Sequence, residues 1–218
     1  MTSEDRTRAL LERWHAGDRA AVAELVERDR DWILGRVRQR RGPALQRDAE
    51  TADHFQDLVL EVLDYAPRFV VASQAQFRRL IARMLDNLLV DRARWLERRR
   101  PLRAATLRAW SSETRLELDP PARESLGPPA QAERAEEIEW LRLAMEFLDA
   151  DDRRIVHEHK LLGRTFVEIG EDLQVAPNTV RMRFNRALLR LAGVLRRLQG
   201  GQLDELLEEL GPQEGPAT

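Results

Sequence analysis

Between Thr165 and Leu191 the apolar residues form two helical stripes with a three-residue interruption. Phe166, Ile169 and Leu173 recur at i, i+3 and i+7, which gives one apolar face on a short helix. Gln174-Val175-Ala176 predicts a tight turn, with Val175 plugging the angle between two helices. Pro177 suits the first position of the next helix, where its missing N–H removes no intrahelical bond. Val180, Phe184, Ala187, Leu188 and Leu191 then make a second apolar face. The pattern predicts a helix-turn-helix from about Thr165 to Arg190. The turn position that commonly holds glycine carries Gln174, so a left-handed backbone there is expected to carry some strain.

The side of the second helix opposite Val180 and Phe184 presents Asn178, Met182, Asn185 and Arg186 at 3.6 residues per turn. Arg181 flanks it on one edge, and Thr179, Arg183 and Arg190 on the other. Amides and guanidinium groups can read base edges, while flanking cations and a hydroxyl can hold phosphates. A helix lying in the major groove needs that arrangement. The plain alternative is a surface helix of a bundle.

The rest of the chain shows helical spacing and almost no strand signal, so the expected fold class is all-α. Two helical domains joined by a flexible linker are expected, the C-terminal one being the helix-turn-helix. The N-terminal domain is read as 1–100. Gly17-Asp18 divides Arg6 to Val37 into two helices, and Arg41-Gly42-Pro43 opens a loop. A helix over Asp53 to Ala66 has Phe55, Leu58, Val59, Val62 and Leu63 on its apolar face, and Pro67 ends it. After a loop at Val70 to Gln76, Phe77 to Arg100 reads as helical, with a break near Asn87. Half of the 10 prolines fall in 101–132, which is read as a tether with one helical turn around Leu102 to Trp110. The second domain covers 133–198, and an acidic tail, 199–218, contains a short helix from Leu203 to Leu210.

A net charge of −2 looks wrong for a protein that meets DNA, but the distribution corrects that impression. Phe77 to Arg108 carries ten Arg against Asp86, Asp91 and Glu97, a net of +7, and Asn178 to Arg197 carries six Arg and no acid. Ser111 to Asp151 has a net of −7, and the tail after Gln199 has five acids and no base. Two basic blocks with acidic separators suggest two nucleic-acid contacts, against the plain reading of solvated helix faces.

Several stretches resemble bacterial sigma factors. Asp53-His54-Phe55-Gln56-Asp57 is similar to their acidic Asp-x-x-Gln-Glu/Asp stretch. Phe77 to Met84, Asn87 and Asp91-Arg92-Ala93-Arg94 resemble their DNA-melting and promoter-reading helices. Leu11 to Leu25 resembles their first helices, and Glu139 to Leu195 their C-terminal promoter-reading domain. The order and spacing of these segments, with a variable linker between them, resemble the two-domain extracytoplasmic-function subfamily. The match runs over Leu10 to Arg100 and Glu133 to Leu198.

The resemblance implies a factor that binds core RNA polymerase, directs it to specific promoters and helps open the DNA. Asp53, Gln56, Asp57 and Glu61 would dock on the polymerase clamp, since carboxylates and an amide can meet a basic helical surface. An ordinary solvated helix face is the alternative for those four. Phe69 would wall a pocket for a base flipped from the minus-ten element, with Asn87 hydrogen-bonding it. Phe69 reads equally as a core aromatic. Arg83, Arg92, Arg94, Arg98, Arg99 and Arg100 would hold phosphates, and Trp95 either stacks on a base or packs. Asn178, Thr179, Arg181, Met182, Arg183, Asn185 and Arg186 would contact the minus-thirty-five element, with Arg181, Met182, Asn185 and Arg186 reading it. Promoter DNA, as duplex and as melted single strand, is the implied nucleic-acid partner, and an anti-sigma protein is a further candidate partner.

Three positions depart from the family pattern: Leu80 stands where Trp is usual, Asp86 where a basic residue is common, and Asp149 where Pro is usual. Asp86 beside DNA weakens the phosphate reading locally. The acidic tail is read by default as a solvated end, with an interaction helix or an autoinhibitory DNA mimic as alternatives.

Enzyme chemistry finds little support, and no cofactor or metal is expected. His157 and His159 diverge by about 200° on a helix and cannot share a metal, and His54 with Asp57 makes only one pair. No glycine-rich phosphate loop or nucleophile motif occurs. With 0 Cys, thiolate chemistry is excluded, which fits a cytoplasmic location. No apolar run reaches spanning length, and Met1 to Asp5 lacks the pattern of a secretion signal. The rival reading is a stand-alone helix-turn-helix regulator with an N-terminal sensor or dimerisation domain.

Overall fold

A computed structural model describes residues 3–64, 71–99 and 128–209. These residues form eleven helices and no strand, as the all-α expectation requires. They fall into two compact units. One contains α1 (Ser3–His15), α2 (Arg19–Arg28), α3 (Arg30–Arg40), α4 (Pro43–Asp48), α5 (Thr51–Asp64), α6 (Gln74–Arg99) and α11 (Leu203–Glu209). The other contains α7 (Pro128–Met145), α8 (Ala150–Lys160), α9 (Phe166–Leu173) and α10 (Pro177–Gln199).

In the first unit, Gly17 takes φ +97, the left-handed conformation that turns the chain between α1 and α2. Asp18 then caps α2 by accepting from the Ala20 N–H at 2.9 Å. The stretch from Arg6 to Val37, expected as two helices, contains a further break at Asp29 and so forms three. Asp29 is buried and accepts from the Arg78 guanidinium at 2.7 Å and from the Gln74 amide at 3.2 Å. Tertiary pairing with α6 thus fixes a break that local sequence does not announce. The loop expected from Arg41 contains α4, started by Pro43 at its first turn. The break expected near Asn87 is absent, and α6 runs continuously from Gln74 to Arg99. Its apolar side, with Phe77, Leu80, Ile81, Met84, Leu85 and Leu89, is buried in the core of the unit. Trp14 meets Phe77 edge-on, with ring centroids 6.0 Å apart and planes at 90°. Leu80, where the family favours Trp, is an ordinary member of this core.

In the second unit, α10 packs on α7, α8 and α9. Val180, Phe184, Ala187, Leu191, Val194 and Leu198 form its buried stripe. His159 stacks on Phe166 at 4.1 Å and meets Phe184 edge-on at 4.9 Å. Its Nδ1 lies 2.8 Å from the Arg164 carbonyl, which places the proton on that nitrogen. His159 is therefore a packing residue of the domain. α7 begins at Pro128, inside the stretch expected as linker. The helical turn expected around Leu102 to Trp110 lies outside the described residues.

Candidate nucleic-acid interface

The helix-turn-helix begins with a reciprocal cap. The Thr165 hydroxyl accepts from the Glu168 N–H at 3.3 Å, and the Glu168 carboxylate accepts from the Thr165 N–H at 2.7 Å. The Thr-x-x-Glu spacing carried this signal in the sequence, and the periodicity reading passed over it. Gln174 ends α9 in the left-handed region at φ 55, ψ 40, as the turn position implied. Val175 N–H then donates to the Gly170 carbonyl at 2.9 Å. Gly170 is a second feature missed in the sequence: a Cβ there would lie 2.7 Å from the Val175 carbonyl oxygen. The close approach of turn and helix therefore needs a glycine. A Gly in the middle of a short amphipathic helix was the available signal. Pro177 opens α10 at its first turn.

α10 has three stripes. The apolar stripe is buried. A second, at i, i+3 and i+7, consists of Arg183, Arg186 and Arg190, each tied to the N-terminus of α8. Arg183 lies 3.6 Å from Asp151, Arg186 3.5 Å from Asp152, and Arg190 2.9 Å from Asp149 and 3.5 Å from Asp152. Asp149 also caps α8, accepting from the Asp152 N–H at 2.9 Å. Thus the residue where the family favours Pro has two structural tasks. Burial pushes the Asp149 carboxyl up, but the Asp152 N–H and the Arg190 guanidinium outweigh it and hold the group below its ordinary value. Asp152 goes the other way, raised by burial and by the Asp149 charge beside it.

The third stripe is Asn178, Arg181, Met182 and Asn185, all exposed, with Met182 at 62%. Arg181 donates to the Asn178 side-chain oxygen at 2.9 Å. Among the described residues it pairs with no carboxylate. Thr179 is exposed at the first turn of the same helix. The structure therefore brings the expected base-reading residues together on one helix, with Arg186 set apart from the rest by its carboxylate partner. A helix surface with one unpaired guanidinium, two amides and a methionine offers donors, acceptors and an apolar contact to base edges.

The N-terminal candidates are placed differently. Arg83 and Asn87 are buried, on the packed side of α6. Arg92 is bound to Asp48 of α4 at 2.6 Å and lies 4.9 Å over the ring of Trp95, which is itself buried. Trp95 thus packs here. Arg94 is half-buried. Asp86, expected to disturb a phosphate surface, is buried and bridges Arg36 at 2.9 Å and Arg40 at 3.4 Å on α3. Its charge is spent inside the unit. Phe69 and Arg100 lie outside the described residues, as do the side chains of Arg98 and Arg99.

On α5, Asp53 and Gln56 are exposed, whereas Asp57 and Glu61 are half-buried. Asp53 accepts from the Glu50 N–H at 2.8 Å. Burial is the main cause that raises Asp57 above its ordinary value. The face they share also carries Leu60, 46% exposed, an apolar residue that the reading of the acidic stretch left out. Its place at i+4 from Gln56 and i+7 from Asp53 was the signal.

No helix among the described residues is long and apolar enough to cross a membrane. No curated protein matches the chain. Residues 138–191 match the family model described as Sigma-70, region 4. That span holds the end of α7, all of α8 and α9, the turn, and α10 as far as Leu191, so the unit with this exposed stripe is the part that resembles the family. The likeness is to a Sigma-70 region 4 domain and covers the helix-turn-helix unit alone.

Proposed function

We propose that the protein is a two-domain sigma factor of the extracytoplasmic-function type, acting in the cytoplasm with core RNA polymerase. The observation that carries this reading is the exposed stripe of α10, free of acidic partners among the described residues, in a unit similar to Sigma-70 region 4. Arg181, Met182 and Asn185 read base edges of the minus-thirty-five element. Asn178 orients Arg181, while Thr179, Arg183 and Arg186 hold the flanking backbone. Asp53, Gln56, Asp57 and Glu61, with Leu60 at the centre of their face, form the docking surface for the polymerase clamp. An apolar centre with a charged rim is what a specific protein contact requires. The N-terminal unit then contacts the minus-ten region and its melted strand, with Arg94 as a half-exposed cation on α6. An anti-sigma protein is the regulatory partner that fits this class.

The test is run-off transcription with purified core polymerase, with and without the protein. Promoter-specific transcripts that require both components support the reading. Absence of any such transcript, with no binding to core, overturns it. Tight binding of the isolated protein to a palindromic operator would instead favour a stand-alone regulator.

A further inference from the structure

The described part of the acidic tail, as far as Glu209, has a buried side. α11 contributes Leu203, Leu206 and Leu207 to the buried core. It packs on α6 within the N-terminal unit. Its acids meet a partly exposed edge of that helix. Gln76 donates to the Asp204 carboxylate. The Arg79 guanidinium lies 3.3 Å from the Asp204 carboxylate, donates at 3.3 Å to the Asp204 carbonyl, and lies 3.8 Å from Glu208. Gln76 and Arg79 are three apart on α6, and Asp204 and Glu208 four apart on α11, so two helical faces match in register. α11 carries four acids and no base in seven residues.

We propose that α11 is a built-in acidic ligand of the N-terminal unit, which occupies Gln76 and Arg79 on α6 and screens that face from nucleic acid until it is displaced. The proposal rests on the reading that this unit meets DNA. Carboxylates and phosphate oxygens compete for the same guanidinium fork. Arg79 is a cation of α6 whose acidic partners on α11 can leave without opening the core. Arg78 is tied to buried Asp29 and Arg92 to buried Asp48, whereas Asp204 and Glu208 are exposed at 52% and 71%. Exposed ion pairs are weak and fall with salt, which suits a displaceable cover. The three leucines supply the seat, and the acids decide what competes for it.

The experiment measures the affinity of the full-length protein for a labelled mixed-sequence oligonucleotide, single- and double-stranded, by fluorescence anisotropy at low salt. Leu206→Asp unseats α11, and Asp204→Asn with Glu208→Gln removes only the competing charge. Glu12→Gln with Glu27→Gln makes the same change of charge elsewhere in the unit. Both α11 variants are expected to bind roughly three- to tenfold tighter than the parent, and the gain disappears in an Arg79→Ala background. Amides of α11 in the unmodified protein exchange faster when the oligonucleotide is present. Unchanged affinity in the charge-only variant, a gain that survives Arg79→Ala, or an equal gain in the Glu12/Glu27 control overturns the proposal. The charge-only variant decides the matter if Leu206→Asp fails to fold. The assay contains no polymerase, so a failed run-off assay removes the sigma reading and leaves this result standing, and the reverse holds as well.

Discussion

α6 and α10 are both arginine-rich helices, and they use their cations in different ways. On α6 three of the described guanidinium groups are tied into or buried in the unit. Arg78 closes on buried Asp29, Arg92 on Asp48, and Arg83 is buried. α10 sends one stripe of arginines to the acids of α8 and keeps another stripe exposed, with Arg181 free of carboxylates among the described residues. A run of positive charge in a sequence therefore does not identify a nucleic-acid surface. Which of its cations has an acid within reach, and how firmly that acid is held, is decided by tertiary structure. Removing a residue of α6's inner network should cost stability, and removing one from the exposed stripe of α10 should cost specificity.

The largest expected effect is at Asp29. Asp29→Ala removes the buried acceptor of Arg78 and Gln74 but leaves Arg78 partly in water, and should lower unfolding stability by about 1.5–3 kcal/mol in a denaturant titration. A loss within about 0.5 kcal/mol would show that the α6 network is not structural. Gly170→Ala comes next. The added Cβ meets the Val175 carbonyl, and the turn must shift, at about 1–3 kcal/mol of stability together with weakened promoter binding. Wild-type stability and binding would mean that the turn has room to adjust.

Arg181→Ala should leave stability unchanged and cost about 1–3 kcal/mol of discrimination between promoter and mismatched DNA. A uniform loss across all sequences would make Arg181 a phosphate contact. Comparison with Arg190→Ala sharpens the contrast between stripes, because Arg190 is tied to Asp149 and Asp152 and its loss should register in thermal stability.

The smallest effect concerns pH. Burial holds the His54 imidazole below its ordinary value of 6.5, helped by the Arg41 charge. Below that value the unfolded chain binds a proton that the folded chain resists, so stability should fall as pH drops through about 6.5 toward the lowered folded value. Asp57, raised by burial, acts in the opposite sense nearer the carboxylate range. The difference in Tm between parent and His54→Gln across about pH 7.5 to pH 5.5 isolates the histidine. A pH profile identical in the two proteins would contradict its placement.

The helix-turn-helix was legible because its signals are local. Three apolar residues at helical spacing, a three-residue turn and Pro177 define it without reference to the rest of the chain. Gln174 was readable as a left-handed position for the same reason. The break at Asp29 was not readable, because it is fixed by Arg78 and Gln74, which are more than forty residues away. Asp86 looked like a misplaced charge until Arg36 and Arg40 were found beside it. The tail looked like a solvated end because its acids dominate its composition. Its three leucines, at i, i+3 and i+4, were the signal that it had a face to bury. Which residues of α6 face inward was equally hidden, since Arg83 and Asn87 carry no mark of burial in the sequence.

The central claim is that α10 reads sequence through its exposed stripe, in concert with polymerase. The most direct measurement is transcription by core polymerase plus this protein from a promoter library randomised upstream, followed by sequencing of the templates used. The unmodified protein should enrich one upstream element, and Arg181→Ala with Asn185→Ala should lose that enrichment while still binding core. Equal enrichment by both proteins, or none by the unmodified protein, would contradict the account.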